Sequence, residues 1–203
     1  MGKIFCLMGK SSSGKDTIFK MLKEEMPNLL KPIITYTTRP QREHEQEGME
    51  YHFIDEVTLQ SYAAAGKIIE KRVYDTVNGE WKYATIDDGS VDLQDNDYLM
   101  ITTLEAFREL KGYYGSDAVV PIYIATDDQV RLERARARES MQVHPNYQEV
   151  NRRFAADEID FSEHNLQSSG IKKIYYNDDL VECVAAIKSD ILNAIFELDR
   201  RKG

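Results

Sequence analysis

Hydrophobic and polar positions follow two patterns along this chain, and together they predict its fold. Three short, almost uninterrupted apolar runs are typical of strands buried on both faces of a parallel sheet. They are "KIFCLM", "DYLMITT" and "AVVPIYIAT". Segments with helical spacing lie between them, namely "DTIFKMLKEEM" and "LEAFRELKGYYG". Strands that alternate with helices in this way predict an α/β core, in which a parallel β-sheet is flanked by helices.

Residues 33–91 have a different pattern, made of short β-like pieces that turn residues separate. The pieces are "IITYTT", "YHFI", "IIEKRVYDTV" and "EWKYAT". Asn78-Gly79, between the last two, is a strong hairpin signal, because both residues tolerate the positive φ of a tight turn. A helix, "DEVTLQSYAAAG", interrupts the series and is expected to end at Gly66. We therefore predict a compact, β-rich insert within the α/β core.

The chain from Asp127 to about Phe161 is heavily charged and helical, with an interruption at "VHPN". A last apolar strand is expected at "KKIYYN", and a long amphipathic helix closes the chain at "DLVECVAAIKSDILNAIFELDR". Earlier in the sequence, Pro27 and Pro32 are helix-stop signals after the first helix. No internal repeat or low-complexity segment is apparent, so a single domain with inserted parts is the simplest organisation.

Net charge and composition restrict the classes of function. The 203 residues are 42% hydrophobic and 30% charged, which is ordinary globular composition. A formal net charge of −9 argues against a surface that binds nucleic acid or an anionic membrane, although a few local arginines suffice for one small anion. No apolar run approaches the length of a membrane span, and the N-terminal one is too short for a signal peptide.

The two cysteines, Cys6 and Cys183, both lie in apolar segments. Two buried thiols in a reducing cytoplasm are expected from this setting, rather than a disulfide or a metal pair. The sequence thus indicates a cytoplasmic protein.

A phosphate-binding loop is predicted where the first strand meets the first helix. The segment "GKSSSGK" fits G-x-x-x-x-G-K, a motif whose backbone amides surround a phosphate while its lysine reaches the transferring group. Its predicted ATP-binding residues are Gly9, Ser11, Ser12, Ser13, Gly14, Lys15, Asp16 and Thr17. Lys15 is also a predicted catalytic residue. The alternative is a chance match in a serine-rich turn.

Asp16 occupies the position at which this motif usually has the Ser or Thr that contacts Mg²⁺. A carboxylate is a hard oxygen ligand, so Asp16 could serve the metal directly or through water, with Thr17 beside it. We therefore expect Mg²⁺ as the cofactor, bound at Asp16 and Thr17.

The segment "TYTTRPQREHEQEGMEYHF" resembles the guanylate kinase family, whose hallmark is T-T-R with a nearby Pro and second Arg, then G-x-x-Y-x-F. The matching residues are Thr37, Thr38, Arg39, Pro40, Arg42, Gly48, Tyr51 and Phe53. The resemblance implies that Arg39, Arg42 and Tyr51 clamp the phosphate of GMP, which suits the planar fork of arginine. Arg39 would also be catalytic. The alternative is a solvated, charged turn.

The same resemblance implies a pocket for the acceptor base. Glu70 matches a family glutamate that accepts hydrogen bonds from guanine N1–H and its amine. The further GMP-binding residues implied are Thr35, Tyr83, Thr85 and Thr103. Glu70 could instead be an exposed strand glutamate, and Tyr83 a packing aromatic. The family's acidic residues at the end of the third core strand are replaced here by Thr102 and Thr103.

The helical segment near residues 128–161 resembles the family's lid, in which arginines stabilise the charge of the phosphoryl group in flight. Arg134, Arg138 and Arg153 match as catalytic residues. The alternative is a solvated face, since Arg131, Arg134 and Arg138 share one side of a helix. The segment "IYYNDDL" matches the family's region near adenine, so Asn177 and Asp178 are expected to contact ATP. Helix capping is the alternative for both.

The resemblance runs from Lys3 to about Phe196 and implies the whole design. It comprises a P-loop kinase core (about 1–33, 92–127 and 162–203), a β-rich acceptor-binding insert (about 34–91) and a helical lid (about 128–161). The implied activity is phosphorylation of GMP, and of dGMP, by ATP. A kinase of another nucleotide, or a non-catalytic binding module, is the alternative. Beyond ATP and GMP, no nucleic-acid, membrane or protein partner is predicted.

Overall fold

The computed structural model describes residues 1–43, 45–76 and 79–200. The strands are β1 (Ile4–Met8), β2 (Leu30–Pro32), β3 (Tyr36–Thr37), β4 (His52–Phe53), β5 (Ile68–Thr76), β6 (Gly79–Ile86), β7 (Asp97–Ile101), β8 (Val119–Ala125) and β9 (Ile174–Tyr176). The helices are α1 (Lys15–Glu25), α2 (Glu56–Ala64), α3 (Leu104–Tyr114), α4 (Asp128–Ser140), α5 (Tyr147–Asp160), α6 (Glu163–Ser168) and α7 (Leu180–Arg200).

The central sheet has five strands in the order β2-β7-β1-β8-β9. Every pairing in it is parallel. All five residues of β1 are buried, which explains why this strand reads as an uninterrupted apolar run. Helices α1 and α7 pack in one hydrophobic cluster and α3 in a second one. The predicted class, an α/β core with a parallel sheet flanked by helices, is confirmed.

The helices contact the sheet through apolar residues one turn apart. In α1 these are Ile18 and Leu22, and in α7 they are Ile187 and Ile191, each at most 1% exposed. α7 has 21 residues and one apolar face. No helix among the described residues combines the length and apolar character needed to cross a membrane.

A second sheet, β4-β3-β6-β5, corresponds to the predicted β-rich insert. β5 and β6 form a long antiparallel hairpin, and the two-residue strands β3 and β4 continue the sheet from β6. Both are shorter than the β-like pieces in the sequence. Of the predicted Asn78-Gly79 turn, Asn78 lies outside the described residues, and β6 begins at Gly79 with φ 104°.

Most predicted elements are present, and the structure adds two that were not predicted, β2 and α6. α2 stops before Gly66, whose φ of 67° favours glycine, as expected. Pro32 belongs to β2 rather than to a helix stop, and it is tolerated there because β2 is an edge strand. α6, a six-residue helix capped by Ser162, was not predicted, since fewer than two turns with one apolar residue have no detectable period.

The carboxyl ends of β1, β7 and β8 lie side by side. Leu7 pairs with Ile101, and Met8 pairs with Tyr123. Ligands of open α/β sheets bind at this edge, because the loops that follow the strands converge there. The predicted phosphate loop follows β1, so the fold places it at this edge.

Candidate active site

The loop that joins β1 to α1 has the backbone shape that its glycines predict. Gly14 has φ 89° and Ser12 has φ 61°, both in the left-handed region. A Cβ on Gly9 would lie 2.6 Å from the carbonyl oxygen of Ile124, and one on Gly14 would lie 2.4 Å from Nδ2 of Asn177. Both motif glycines are required by packing, which argues against a chance match in a serine-rich turn.

Two side chains that follow the neighbouring strands β8 and β9 hold the loop in place. Thr126 Oγ1 and Asn177 Nδ2 both donate to the carbonyl oxygen of Ser13, at 3.0 and 2.9 Å. The Ser13 side chain is 1% exposed, and its Oγ has no hydrogen-bond partner among the described residues. Neighbouring strand ends thus hold Ser13, which keeps the loop in one conformation for a phosphate.

Asn177 and Asp178 were expected to contact ATP, with helix capping as the alternative. Neither side chain caps α7, since Asp179 Oδ1 accepts from the backbone N–H of Glu182 at 2.9 Å. Asn177 is buried against the loop, and Asp178 is exposed. Helix capping is therefore wrong for both, and their contact with nucleotide stays a prediction.

Lys15 is the first residue of α1. Burial lowers the pKa of its ammonium, and the charges of Asp16 and Asp157 oppose that change. Asp16 and Thr17 are exposed in the first helical turn. Mg²⁺ is usually held by one or two carboxylates together with substrate phosphates and water. The described residues contain no group of three or more acidic, His or Cys side chains placed to hold a metal, and Mg²⁺ binding at Asp16 and Thr17 stays a prediction.

A buried ion pair that sequence analysis did not anticipate attaches helices α4 and α5 to the loop. Arg131 is 0% exposed, and its NH2 donates to Asp157 Oδ2 at 2.8 Å. Arg131 Nε donates to the carbonyl oxygen of Ser11 at 2.9 Å, and Asp157 Oδ2 accepts from the Ser11 N–H at 2.7 Å. Phe154 lies under the guanidinium, 4.6 Å from ring centroid to Arg131 Cζ. Arg131 is thus a packing residue and not part of a solvated face.

The three predicted lid arginines are exposed. Arg138 NH2 donates to Ser12 Oγ at 3.3 Å, and Arg134 NH1 lies 3.9 Å from where a Cβ of Gly14 would be. Arg153 Nε donates to Glu149 Oε1 at 2.8 Å, and Arg153 borders a small cleft between the loop and α5. All three arginines surround the loop, and their catalytic role stays a prediction.

Arg39, the first residue of the predicted phosphate clamp, is 3% exposed, and each nitrogen of its guanidinium donates a hydrogen bond. Its Nε donates to Tyr83 Oη at 3.1 Å, while NH1 and NH2 donate to the Glu45 carboxylate at 2.7 and 2.5 Å. The ring of Tyr51 lies 4.9 Å from Arg39 Cζ. The hydrogen bonds from Arg39 keep the pKa of Glu45 below its usual range. A carboxylate of this chain therefore occupies the fork where an acceptor phosphate is expected.

Arg42 is exposed, unlike Arg39, and its backbone N–H donates to Glu45 Oε2 at 2.9 Å. Tyr51 is half-buried, and burial raises the pKa of its phenol, with nearby Tyr83 and, more weakly, Asp16 contributing. The geometry brings Arg39, Tyr51 and Tyr83 together, and Arg42 lies at their edge.

Glu70 is 5% exposed on β5, so it is not an exposed strand glutamate. Its Oε1 accepts from Thr85 Oγ1 at 2.8 Å, as expected of two residues in one pocket. Arg72, which the sequence analysis did not single out, donates to both Glu70 oxygens, through Nε at 3.0 Å and NH2 at 3.2 Å. The spacing of Glu70 and Arg72 on one strand face was the signal that could have identified this pair.

The remaining predicted acceptor residues are threonines. Thr35 is 9% exposed at the base of the insert, and its carbonyl oxygen accepts from His52 N–H at 2.9 Å. Thr103 caps α3, accepting from Ala106 N–H at 3.2 Å, and Thr102 beside it is buried. The hydroxyl of Thr103 is thus already used by the helix, and the GMP contacts of Thr35 and Thr103 stay predictions.

The chain is similar to guanylate kinases along most of its length. The family profile "Guanylate kinase" matches residues 1–193. "Guanylate kinase 1" of Arabidopsis thaliana is 26% identical over 188 residues, 92% of this chain and 46% of that protein. The guanylate kinase of Rhodopseudomonas palustris is 32% identical over 149 residues, 70% of this chain and 64% of that one.

A solved structure supports the fold. The crystal structure of guanylate kinase from Anaplasma phagocytophilum aligns with a TM-score of 0.66 over 95% of this chain and 85% of that chain, at 20% identity. The chain spans about half of the Arabidopsis relative and about two thirds of the Rhodopseudomonas one. With the loop, the arginine–tyrosine clamp and the profile match over residues 1–193 in agreement, this chain belongs to the guanylate kinase family.

Proposed function

We propose that this protein transfers the terminal phosphoryl group of ATP to GMP, and to dGMP. One observation carries the proposal: the phosphate loop and the Arg39 fork of the insert each bind a carboxylate of the chain itself. Asp157 accepts from the Ser11 N–H of the loop, and Glu45 accepts from both terminal nitrogens of Arg39. Groups that hold a carboxylate in this way suit the oxygens of a phosphate.

On the donor side, the loop backbone binds the ATP phosphates and Lys15 stabilises the charge that develops on the transferring group. Partial burial strengthens this interaction, because water screens it less. Arg138 lies beside Ser12, and Arg134 lies beside Gly14. Both can therefore neutralise charge on the same phosphates, as the family resemblance predicts.

On the acceptor side, the GMP phosphate replaces Glu45 on Arg39, and the Tyr51 and Tyr83 hydroxyls complete the clamp. Glu70 accepts a hydrogen bond from the guanine base at the other end of the insert. Positioning of this kind accounts for most of the rate in phosphoryl transfer, since little covalent chemistry is left to the protein. Mg²⁺, carried by ATP and contacted by Asp16 and Thr17, would supply charge neutralisation at the phosphates.

We propose that the parts of the chain divide this work as the resemblance implies. The insert (about 34–91) binds the acceptor, the lid (about 128–161) covers ATP, and the remainder is the core. Cys6 and Cys183 are free and buried, which fits a reducing, cytoplasmic setting. The retained loop lysine and lid arginines favour an enzyme over a non-catalytic binding module.

ADP formation from ATP–Mg²⁺, measured against GMP, dGMP, AMP, CMP and UMP, tests the proposal. We expect activity with the guanine nucleotides and kcat/KM values lower by several orders of magnitude for the others. Preference for AMP or a pyrimidine nucleotide would favour the alternative of another acceptor, for which Thr102 and Thr103 are the motive. No activity, together with no thermal stabilisation by an ATP analogue plus GMP, would favour a binding module.

A further inference from the structure

Ser12 has a backbone conformation that serine rarely adopts. Its φ of 61° lies in the left-handed region, and no other residue except glycine has a positive φ in the part of the chain that the structure describes. The Ser13 N–H donates to the carbonyl oxygen of Lys10 at 3.2 Å, so Ser12 is the third residue of a tight turn. Glycine or asparagine is preferred at that place in a turn when φ is positive.

The phosphate-loop motif does not explain why a serine stands here. In G-x-x-x-x-G-K the fixed positions are Gly9, Gly14 and Lys15, and the side chains between the two glycines are unspecified. The motif binds phosphate through backbone amides, which a glycine at position 12 would supply equally well. A strained backbone conformation at a functional site is a reason to look for a function. What a glycine would lack is the Ser12 hydroxyl.

The Ser12 hydroxyl contacts one of the predicted lid arginines. Its Oγ accepts from NH2 of Arg138 at 3.3 Å, and the two residues are 126 positions apart in the chain. A cleft of about 60 Å³ lies between the loop and helices α4 and α5, and Ser12, Arg138 and Arg153 all line it. This volume is far below that of a pocket for a whole small ligand. The hydroxyl thus joins the loop to the lid where both border one cleft.

This contact uses only one corner of the Arg138 guanidinium. Within the described residues, Nε and NH1 of Arg138 make no hydrogen bond, and the residue is exposed. An exposed arginine loses much conformational freedom when it is held in one geometry. A hydroxyl that holds it before the nucleotide binds reduces this cost, and the remaining N–H groups stay available for phosphate oxygens.

We propose that Ser12 is a positioning residue for phosphoryl transfer and acts through Arg138. Its hydroxyl holds the guanidinium beside the loop, so that the free N–H groups of Arg138 reach the phosphoryl group as it leaves ATP. The inference rests on the proposed function and adds a residue to the same site. The positive φ is tolerated at Ser12 because a glycine in this turn would leave Arg138 without an acceptor on the loop.

Arg134 provides a comparison on the same helix. It approaches the loop at Gly14, where its NH1 lies 3.9 Å from the position of an added Cβ. Since Gly14 has no side chain, the loop offers no hydroxyl at that point. Loss of the Ser12 hydroxyl should therefore affect the work of Arg138 and leave that of Arg134 unchanged.

The test measures kcat with ATP–Mg²⁺ and GMP for Ser12→Ala and Ser12→Gly, each alone and combined with Arg138→Ala. Each Ser12 variant alone should lower kcat about tenfold, the effect of one hydrogen bond to a charged group, with the KM for GMP unchanged. Combined with Arg138→Ala, neither should lower kcat further, because the hydroxyl has lost its partner. Combined with Arg134→Ala, the effects should multiply. Ser61→Ala, which removes an exposed hydroxyl of α2, is the matched control and should leave kcat unchanged.

Thermal unfolding separates this role from a structural one. Ser12→Gly should not lower the melting temperature, because release of the positive φ offsets the greater freedom of glycine in the unfolded chain. Ser12→Asn should restore most of kcat, since asparagine tolerates the left-handed region and its side-chain oxygen can accept from Arg138.

Three results would overturn the inference and leave the proposed function standing. They are a normal kcat in both Ser12→Ala and Ser12→Gly, a low kcat in Ser12→Gly alone, which would assign the effect to the stiffness of the loop, and a further tenfold loss when Arg138→Ala is already present. An unaltered protein that does not phosphorylate GMP would overturn the proposed function, and the inference with it.

Discussion

The phosphate loop and the β-rich insert differ in how they are built for the anion binding that we propose for each. The loop relies on its backbone, whose shape depends on Gly9 and Gly14 and on the two side chains that hold the Ser13 carbonyl. The insert relies on side-chain ion pairs across a small sheet, in which two strands have only two residues each. The shape of a site made from backbone depends on the packing of the core around it. The ligand of a site made from side chains can change through single substitutions.

The largest expected effect concerns how the lid helices are attached to the loop. Arg131→Met removes one partner of a buried pair and leaves Asp157 uncompensated, which should lower the free energy of unfolding by about 3–5 kcal/mol. The measurement is chemical denaturation. The double variant Arg131→Met with Asp157→Leu should recover part of the loss, because it no longer buries an unpaired carboxylate, although Ser11 loses its two side-chain partners. Equal loss in the double variant would mean that the unpaired Asp157 carboxylate is not the cause.

The next prediction tests whether the loop needs its lysine for chemistry alone. Lys15→Ala should lower kcat by about 10²–10³, since stabilisation of developing charge has this magnitude. The melting temperature should hardly change, because backbone and core contacts form the loop. Lys10→Ala, in the same loop, is the control and should keep most of the activity. Near-normal turnover of Lys15→Ala would refute the role of this lysine.

A third prediction separates the two arginines of the acceptor clamp. Arg39 is buried and Arg42 is exposed, so Arg39→Ala should cost about 10- to 100-fold in kcat/KM for GMP, and Arg42→Ala less. The KM for ATP should be unaffected in both, which steady-state kinetics would measure. If Arg39→Ala lowers the affinity for ATP as much as the affinity for GMP, the role of Arg39 is structural. The phosphate loop and the insert would then not differ in the way described above.

The smallest effect is a pH dependence in the lid. Hydrogen bonds from Arg152 and, to a smaller extent, from Arg153 lower the pKa of Glu149 from 4.5 to about 2. The contribution of these ion pairs to the free energy of unfolding is therefore complete above pH 4.5 and is lost as the pH falls through about 2. The arginines are exposed, and the contribution should be below about 1 kcal/mol. Unfolding free energies of the unaltered protein and Glu149→Gln should converge over that range. A difference independent of pH would exclude this ion pair as the cause.

The sequence was sufficient to predict the core and the loop, because burial and glycine geometry leave a local pattern. It was not sufficient for Arg131, which reads as one of several arginines on a charged helix. Its burial depends on Asp157, 26 residues further along, and on Ser11, 120 residues before it. Arg72 was missed although its spacing from Glu70 on β5 is a local signal, because that spacing does not show which face of the strand is buried.

The bond between Asn177 and Ser13 has a consequence for how the chain acquires its activity during synthesis. The two residues are separated by 164 positions, so a ribosome must add all the residues between them before the loop receives this support. Long-range contacts of this kind form late, because the intervening chain must close first. A nascent chain therefore carries the loop sequence early, and nucleotide can be held in the finished geometry only after β9 has joined the sheet.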